Sequence, residues 1–171
     1  MGTLPNEQAP PARRAVGALA VAIALPLAVG AIGGAATAGS VRTWYPTLRK
    51  PPFNPPGWVF GPVWTVLYLA MGVAMYLVWT AADRPPSRLG ATRWWLAQLV
   101  LNLLWSLLFF GRRAIGPAFA EILVLWLAIA GTIQSFSRER TEAGVLLVPY
   151  LGWTTFATIL NGSIWYLNRY R

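Results

Sequence analysis

Long apolar runs, separated by a few charged residues, dominate this chain. Four stretches carry no charge at all, residues 15–41, 51–82, 94–111 and 143–168, and residues 114–137 carry only Glu121. A bilayer core needs about 20 apolar residues per helix. The pattern therefore predicts transmembrane helices at residues 15–39, 58–80, 93–110, 115–136 and 143–167. The runs lack the apolar-polar alternation of barrel strands, so the predicted fold is an all-α membrane protein, a bundle of five transmembrane helices.

The segment between the first two predicted helices combines prolines with aromatic residues. Its prolines are Pro46, Pro51, Pro52, Pro55 and Pro56. Proline fixes φ and removes a hydrogen-bond donor, and it pushes the preceding residue toward extended backbone. We therefore expect a stiff Pro/Trp-rich loop, lined by aromatic rings, that covers an apolar site at the membrane edge.

The remaining connections indicate a single membrane domain. Residues 1–12 are polar and proline-rich, and we expect a disordered N-terminal tail there. Residues 13–171 then form the five-helix transmembrane domain. The link at residues 111–116 is very short, which makes the third and fourth helices antiparallel neighbours. No internal repeat is evident, so an inverted-repeat transporter is not supported.

Composition agrees with a membrane protein and narrows its chemistry. Hydrophobic residues make up 56% of the chain and charged residues 11%, against about 25% charged in soluble domains. The net charge of +9 comes from cations at the helix ends, so we expect interfacial anchors and no nucleic-acid partner. Lys and Arg counts tie across the membrane, so the positive-inside rule gives no orientation. With no Cys and no His, we expect no metal site.

The polar residues Gln98, Asn102, Glu121 and Asn161 lie within the predicted helices. Polar groups in lipid need partners, so we expect all four to face the bundle interior. The amides suit hydrogen bonds between helices. Glu121 has two possible roles that the sequence does not distinguish. One is a functional role, and the other is an interaction with helix-end groups or with a loop arginine.

The chain contains 10 tryptophans, and their positions suggest two roles. The tryptophans near helix ends, Trp79, Trp94, Trp95 and Trp165, fit an interfacial aromatic belt. Three others, Trp64, Trp105 and Trp153, lie deeper, beside small or amide residues. Such rings suit stacking against a flat apolar ligand, and ordinary aromatic packing is the alternative.

A pair of small residues marks the first helix. Gly30 and Gly34 form a G-x-x-x-G pair, which lets helices approach closely in lipid. The pair fits packing within the bundle or a seam between two copies of the chain.

Specific motifs resemble one known family. The run WYPTLRKPPFNPPGWVFGPVWTVLY, from Trp44 to Tyr68, resembles the defining segment of the TspO/MBR family, which includes the translocator proteins, the tryptophan-rich sensory proteins and the peripheral benzodiazepine receptors. Further matches are Gln98-Leu99 with Asn102 and Trp105, Phe109-Phe110-Gly111, and the residues from Pro149 to Asn161. The resemblance covers residues 15–168.

The resemblance implies five transmembrane helices, a homodimer, and a ligand cavity closed by the loop between the first two helices. Expected ligands are porphyrins, either protoporphyrin IX or haem, and related flat apolar molecules. Matched position by position, the expected ligand-binding residues are Gly34, Thr37, Asn54, Phe60, Gly61, Val63, Trp64, Asn102, Trp105, Ala120, Val124, Trp153, Ala157 and Leu160. Trp64 and Trp153 match tryptophans implicated in light-dependent porphyrin breakdown in some bacterial members, and they are the candidates for a catalytic role.

Two departures from the family pattern leave the ligand preference open. Pro117 stands where many animal members have a pocket tryptophan, and Asn54 stands at a histidine position. Some members bind cholesterol, but the pattern formed by Leu160, Tyr166 and Arg169 is too loose to argue for a sterol. A sterol therefore stays open as a partner beside membrane lipid.

We therefore expect a multi-pass membrane protein that binds porphyrins and acts in tetrapyrrole regulation, sensing or transport. The alternative is tryptophan-dependent photo-oxidative degradation of protoporphyrin IX, so the question of enzyme activity stays open. No cofactor is required, because the porphyrin or haem is the ligand. We expect a bacterial source, with the inner or outer membrane undecided.

Overall fold

The computed structural model describes residues 12–81 and 85–170. Within these residues, five helices are long and apolar enough to cross a membrane. No strand is present among them, which confirms the predicted all-α class. The predicted disordered tail at residues 1–12 lies outside the described residues, except for Ala12, where the first helix begins.

The helices, in chain order, are α1 (Ala12–Thr43), α2 (Phe60–Ala81), α3 (Pro85–Ser106), α4 (Ile115–Glu139), α5 (Thr141–Val145) and α6 (Val148–Asn168). A π-helical turn at Leu107–Gly111 continues α3, and two 3₁₀ turns lie at Tyr45–Thr47 and Gly57–Val59. The fifth membrane span comprises α5 and α6 together, at Thr141–Asn168. Helices α1 and α4 extend beyond their predicted spans, and α3 begins at Pro85 and not at residue 93. Backbone hydrogen bonding continues into polar residues that apolar patterning leaves out.

Helices α3 and α4 are neighbours, as the short link between them predicts. The turn places Arg113 in the left-handed region at φ 55°, and the nitrogen of Ala114 donates to the oxygen of Leu108 at 2.9 Å. A π-helical turn followed by one left-handed residue thus reverses the chain within a few positions. This connection fixes the end of α3 beside the start of α4.

Glycines bring α1 and α2 into close contact. A Cβ added at Gly72 of α2 would lie 2.7 Å from the Cα of Ile23 and 2.8 Å from the oxygen of Ala22. A Cβ at Gly30 of α1 would overlap the ring of Tyr68. Gly30 therefore packs within the bundle, while Gly34 has no neighbour within 4 Å of such a Cβ.

The interior polar residues face inward as predicted. Gln98, Asn102, Glu121 and Asn161 are all buried. Asn161 accepts from Trp105 Nε1 at 3.0 Å and donates to the oxygen of Ile115 at 3.0 Å, so it ties α6 to α3 and to the start of α4. Both carboxyl oxygens of Glu121 lack a hydrogen-bond partner among the described residues, which argues against the loop-arginine pairing.

The prediction of an interfacial belt is wrong for Trp95. Its side chain is 1% exposed, its Nε1 donates to the oxygen of Met71 at 3.2 Å, and its ring meets Trp79 edge-on at 6.1 Å. Its neighbour Trp94 is 46% exposed. Successive residues of a helix point about 100° apart, so one of the pair enters the core and the other leaves it.

Candidate ligand-binding site

A cavity of about 920 Å³ lies between α1, α2, the end of α3 and the proline-rich segment at residues 45–57. Ligand pockets in proteins usually measure about 300–1,000 Å³. The cavity therefore has room for a large organic molecule. Its walls differ in character from one element to the next.

Small residues make the wall on α1. Gly30, Ala31, Gly33 and Gly34 line the cavity, together with Thr37. The Thr37 hydroxyl donates to the oxygen of Gly33 at 2.7 Å, so it presents no unsatisfied polar group. Gly34 leaves open space where a Cβ would lie, whereas Gly30 and Gly33 pack against Tyr68 and Leu103.

Aromatic rings make the opposite wall. Trp64 and Tyr68 of α2 stack with their ring centroids 5.6 Å apart and their planes 29° from parallel. Trp105 and Phe110 line the cavity from the end of α3, and their rings meet nearly at right angles at 6.0 Å. The hydrogen bond from Trp105 Nε1 to Asn161 fixes the orientation of that indole. These walls offer flat faces to a ligand.

The proline-rich segment forms the cover of the cavity. The Tyr45 hydroxyl donates to Asn54 Oδ1 at 2.7 Å, and Asn54 Nδ2 donates to the oxygen of Pro55 at 3.0 Å. Burial raises the pKa of the Tyr45 hydroxyl above its ordinary value, and the hydrogen bond to Asn54 opposes this rise only in part. The hydroxyl therefore stays protonated at neutral pH and keeps its role as a donor.

The cover is also anchored to the far end of the chain. The Asn168 side chain at the end of α6 accepts from the nitrogen of Arg49 at 3.1 Å and donates to its oxygen at 2.9 Å. Pro51, two residues further on, is buried. One amide thus satisfies both backbone groups of a loop residue, and it holds the start of the cover against the bundle.

Among the described residues, Lys50 is the charged residue that lines the cavity. Its Nζ donates to the oxygens of Pro46 at 3.2 Å and Leu48 at 3.3 Å. The ammonium also lies 4.9 Å from the centroid of the Tyr45 ring. An ammonium has three donors, so one stays available to an anionic group in the cavity.

Half of the residues expected from the resemblance line this cavity, and the rest lie elsewhere. Those in the lining are Gly34, Thr37, Asn54, Phe60, Gly61, Trp64 and Trp105. The cavity touches α1, α2, α3 and the cover, so residues expected from α4 and α6 are not part of it.

The expected residues outside the lining take three kinds of position. Asn102, Ala157 and Leu160 are buried, while Ala120 and Val124 are exposed on α4, with Val124 52% exposed. Val63 packs against the core. Trp153 meets Phe60 edge-on at 5.8 Å, and its Nε1 has no hydrogen-bond partner within the part of the chain that the structure describes. Phe60 lines the cavity and also contacts Trp153. Of the two catalytic candidates, Trp64 therefore lines the cavity, whereas Trp153 lies behind Phe60.

The lining also includes residues that are absent from the ligand-binding set expected from the resemblance. Tyr68, Gly30, Lys50 and Phe110 all line the cavity. A signal for Tyr68 was present, because it lies four residues after Trp64 and therefore on the same face of α2. No spacing rule points to Lys50, because its position depends on how the cover folds back over α1.

Comparison with known proteins agrees with the motifs. The model of the TspO/MBR family matches residues 22–167. The chain belongs to the TspO/MBR family. The matched range begins within α1 and ends one residue before the end of α6, so it includes the cover and the parts of α1, α2 and α3 that line the cavity.

Individual relatives of the TspO/MBR family come from distant organisms. The chain is 43% identical over 150 residues to the tryptophan-rich protein TspO of Archaeoglobus fulgidus, covering 88% of this chain and 96% of that one. It is 41% identical over 141 residues to the tryptophan-rich sensory protein of Cereibacter sphaeroides, covering 81% and 87%. It is 36% identical over 151 residues to the translocator protein of Bos taurus, covering 86% and 88%.

Proposed function

We propose that this membrane protein binds a porphyrin, either protoporphyrin IX or haem, in the cavity beneath the cover, and that binding serves tetrapyrrole regulation, sensing or transport. The observation that carries this proposal is the combination of a cavity of about 920 Å³, flat aromatic walls and a cation, Lys50, in the lining. A porphyrin matches that combination, since it has a large apolar ring and carboxylates along one edge.

The proposed pose follows from the walls. The macrocycle lies between the Trp64–Tyr68 stack of α2 and the Trp105–Phe110 pair of α3, opposite the glycines of α1. Aromatic contacts contribute about 0.5–1.5 kcal/mol each beyond the burial of apolar area. The propionates extend toward Lys50 and the membrane surface, because a carboxylate is costly to bury without a partner.

A titration in the dark tests this proposal. Purified protein in detergent is titrated with protoporphyrin IX, and binding is followed by the change in the porphyrin's own absorbance. Trp64→Phe should weaken binding about three- to tenfold, because a smaller ring leaves part of the stacking face. Trp153→Phe is the matched control, since Trp153 lies outside the lining, and its affinity should stay within about twofold of wild type. Equal affinities for all three proteins would contradict the proposed site.

Light-dependent oxidation of protoporphyrin IX, with dioxygen as the oxidant, is the second candidate function. It is favoured by the position of Trp64, an oxidisable indole that lines the cavity and stacks on Tyr68. Illumination of the protein–porphyrin complex separates the two functions. Loss of porphyrin absorbance that requires the protein, light and Trp64 would support degradation, and stable absorbance under light would leave binding alone.

A further inference from the structure

The membrane face that carries the cover holds many cations and, among the described residues, no acid. The alternation of five spans brings the ends of α1, α3 and α6 to this face, together with the cover and the link before α4. The cations described there are Arg42, Arg49, Lys50, Arg112, Arg113 and Arg169. The acids in the described part of the chain lie elsewhere. Glu121 is buried within the bundle, and Glu139 and Glu142 lie at the opposite face, where α4 meets α5.

This asymmetry depends on the acids. Over the whole sequence, the Lys and Arg counts are equal at the two faces, so the cations alone do not distinguish them. Lys and Arg close to a bilayer surface attract anionic lipids, and a face without acids keeps that attraction uncompensated. Charge by itself selects no particular position on the face, so a specific site also needs a suitable shape.

A second pocket, of about 340 Å³, provides such a shape at this face. It lies between the start of the cover, the link before α4 and the end of α6, and we call it the interface pocket. Trp44 and Leu48 line the interface pocket, whereas Tyr45 and Pro46 line the ligand cavity. The 3₁₀ turn at Tyr45–Thr47 therefore separates two sites, one on each side of it.

Two hydrogen-bond donors, Arg113 and Trp165, line the interface pocket. Cζ of the Arg113 guanidinium lies 6.0 Å from the centroid of the Trp44 ring. The Trp165 indole stacks on Phe119 with the ring centroids 5.6 Å apart, which fixes its orientation. A Cβ added at Gly116 would lie 3.0 Å from Trp165 Nε1, so the glycine leaves room beside the indole N–H.

We propose that the interface pocket binds the phosphate group of an anionic membrane lipid. A guanidinium presents a planar fork of N–H donors that fits phosphate oxygens, and the indole N–H adds a further donor. Tryptophan is enriched at the depth of the lipid head groups, so Trp44 and Trp165 place the pocket where a lipid phosphate lies. Leu48 and Ile115 also line it, and these apolar side chains suit the carbon atoms next to a lipid phosphate better than they suit a free ion.

Native mass spectrometry tests this inference, because it counts the lipids that stay bound when neutral detergent is removed. The whole protein is titrated with phosphatidylglycerol and with phosphatidylcholine of the same acyl chains. We expect wild type to retain phosphatidylglycerol about tenfold more tightly, since this lipid carries a net negative charge and phosphatidylcholine does not. Arg113→Gln should weaken the binding of phosphatidylglycerol about five- to tenfold, because it removes charge-assisted hydrogen bonds.

Arg112→Gln is the matched control. Arg112 is exposed like Arg113 but lies outside the pocket lining. The two variants have the same net charge, so nonspecific attraction to the lipid falls equally in both. The affinity of Arg112→Gln for phosphatidylglycerol should stay within about twofold of wild type. Equal losses in the two variants would show that charge alone attracts the lipid, and they would overturn the inference. Equal retention of both lipids by wild type would overturn it as well.

Trp165→Phe supplies a second test, because the left-handed backbone of Arg113 at φ 55° makes changes there more disruptive to the link before α4. The phenylalanine keeps an aromatic ring beside Phe119 and removes the indole N–H. The affinity for phosphatidylglycerol should fall about threefold. Affinity equal to that of wild type in both Trp165→Phe and Arg113→Gln would refute the proposed seat of the phosphate.

Inorganic phosphate distinguishes a lipid site from a site for a free anion. Added in excess over the lipid, it should leave bound phosphatidylglycerol in place, because it has no apolar part to bury. Displacement of phosphatidylglycerol by inorganic phosphate would assign the interface pocket to a free anion and would overturn the lipid assignment. None of these measurements uses a porphyrin, so their outcome is independent of the proposed function.

Discussion

Gly72→Ala offers a direct test of how α1 is held against the bundle. Between residues 15 and 43 of α1, the buried positions are Ala22, Pro26, Gly33 and Thr37, which form one narrow stripe. Gly72 faces this stripe, and an added Cβ would meet backbone atoms of Ala22 and Ile23 at 2.8 and 2.7 Å. Backbone atoms cannot rotate away, so the two helices must separate.

The expected cost combines two opposing effects. Overpacking of a well-packed interface costs about 1–3 kcal/mol. Replacing glycine by alanine within a helix returns about 0.5–1 kcal/mol through helix propensity. The net destabilisation is therefore about 0–2.5 kcal/mol, with a midpoint of about 1 kcal/mol. Since α1 supplies the glycine wall of the cavity, its displacement should also weaken porphyrin binding.

Reversible unfolding in mixed detergent micelles measures the free energy of unfolding for wild type and each variant. Gly34→Ala is the matched control, because it also lies within a membrane helix but has open space around its Cβ. The control should be neutral or more stable by up to about 1 kcal/mol. If Gly72→Ala proved as stable as Gly34→Ala, the close approach of α1 and α2 would not limit the fold, and the reasoning would be wrong.

Two further predictions concern the cover. Lys50→Gln should weaken binding of protoporphyrin IX about three- to tenfold, while the affinity for its dimethyl ester should stay within about twofold of wild type. The ester has no carboxylate for the ammonium to contact. Equal losses of affinity for both ligands in a titration would refute a charge contact. Asn168→Ala should raise the dissociation rate of protoporphyrin IX several-fold, because it removes both side-chain hydrogen bonds to Arg49. Each such bond contributes about 0.5–1.5 kcal/mol. An unchanged dissociation rate in stopped-flow measurements would show that this anchor does not hold the cover closed.

Much of the fold follows from local patterns that bilayer physics makes decisive. In lipid a spanning segment has to satisfy its own backbone, so apolar runs of sufficient length become helices. The same constraint sends Gln98, Asn102, Glu121 and Asn161 to the interior. The sequence wrongly predicted an interfacial position for Trp95, because proximity to a predicted helix end does not reveal which face of α3 contacts α2.

The candidate site was predictable where it depends on one element and its own sequence. The prolines indicate the cover, and the spacing of Trp64 and Tyr68 on α2 indicates one aromatic face. Asn102 and Trp153 were expected in the cavity lining but lie outside it. Both are on helices that do reach the bundle interior, so their helices alone do not exclude them. Tyr68 and Phe60 contact them from the cavity side, and no spacing within α3 or α6 reveals an intervening ring from α2.

The sequence by itself determined the number of membrane helices and the inward direction of the polar groups, because each depends on composition and periodicity within one segment. Only the tertiary structure decided which small residues of α1 open a cavity and which pack tightly, as the contrast between Gly34 and Gly30 shows. The physical reason is that cavity shape depends on the separation of neighbouring helices, and side chains distant in sequence set that separation.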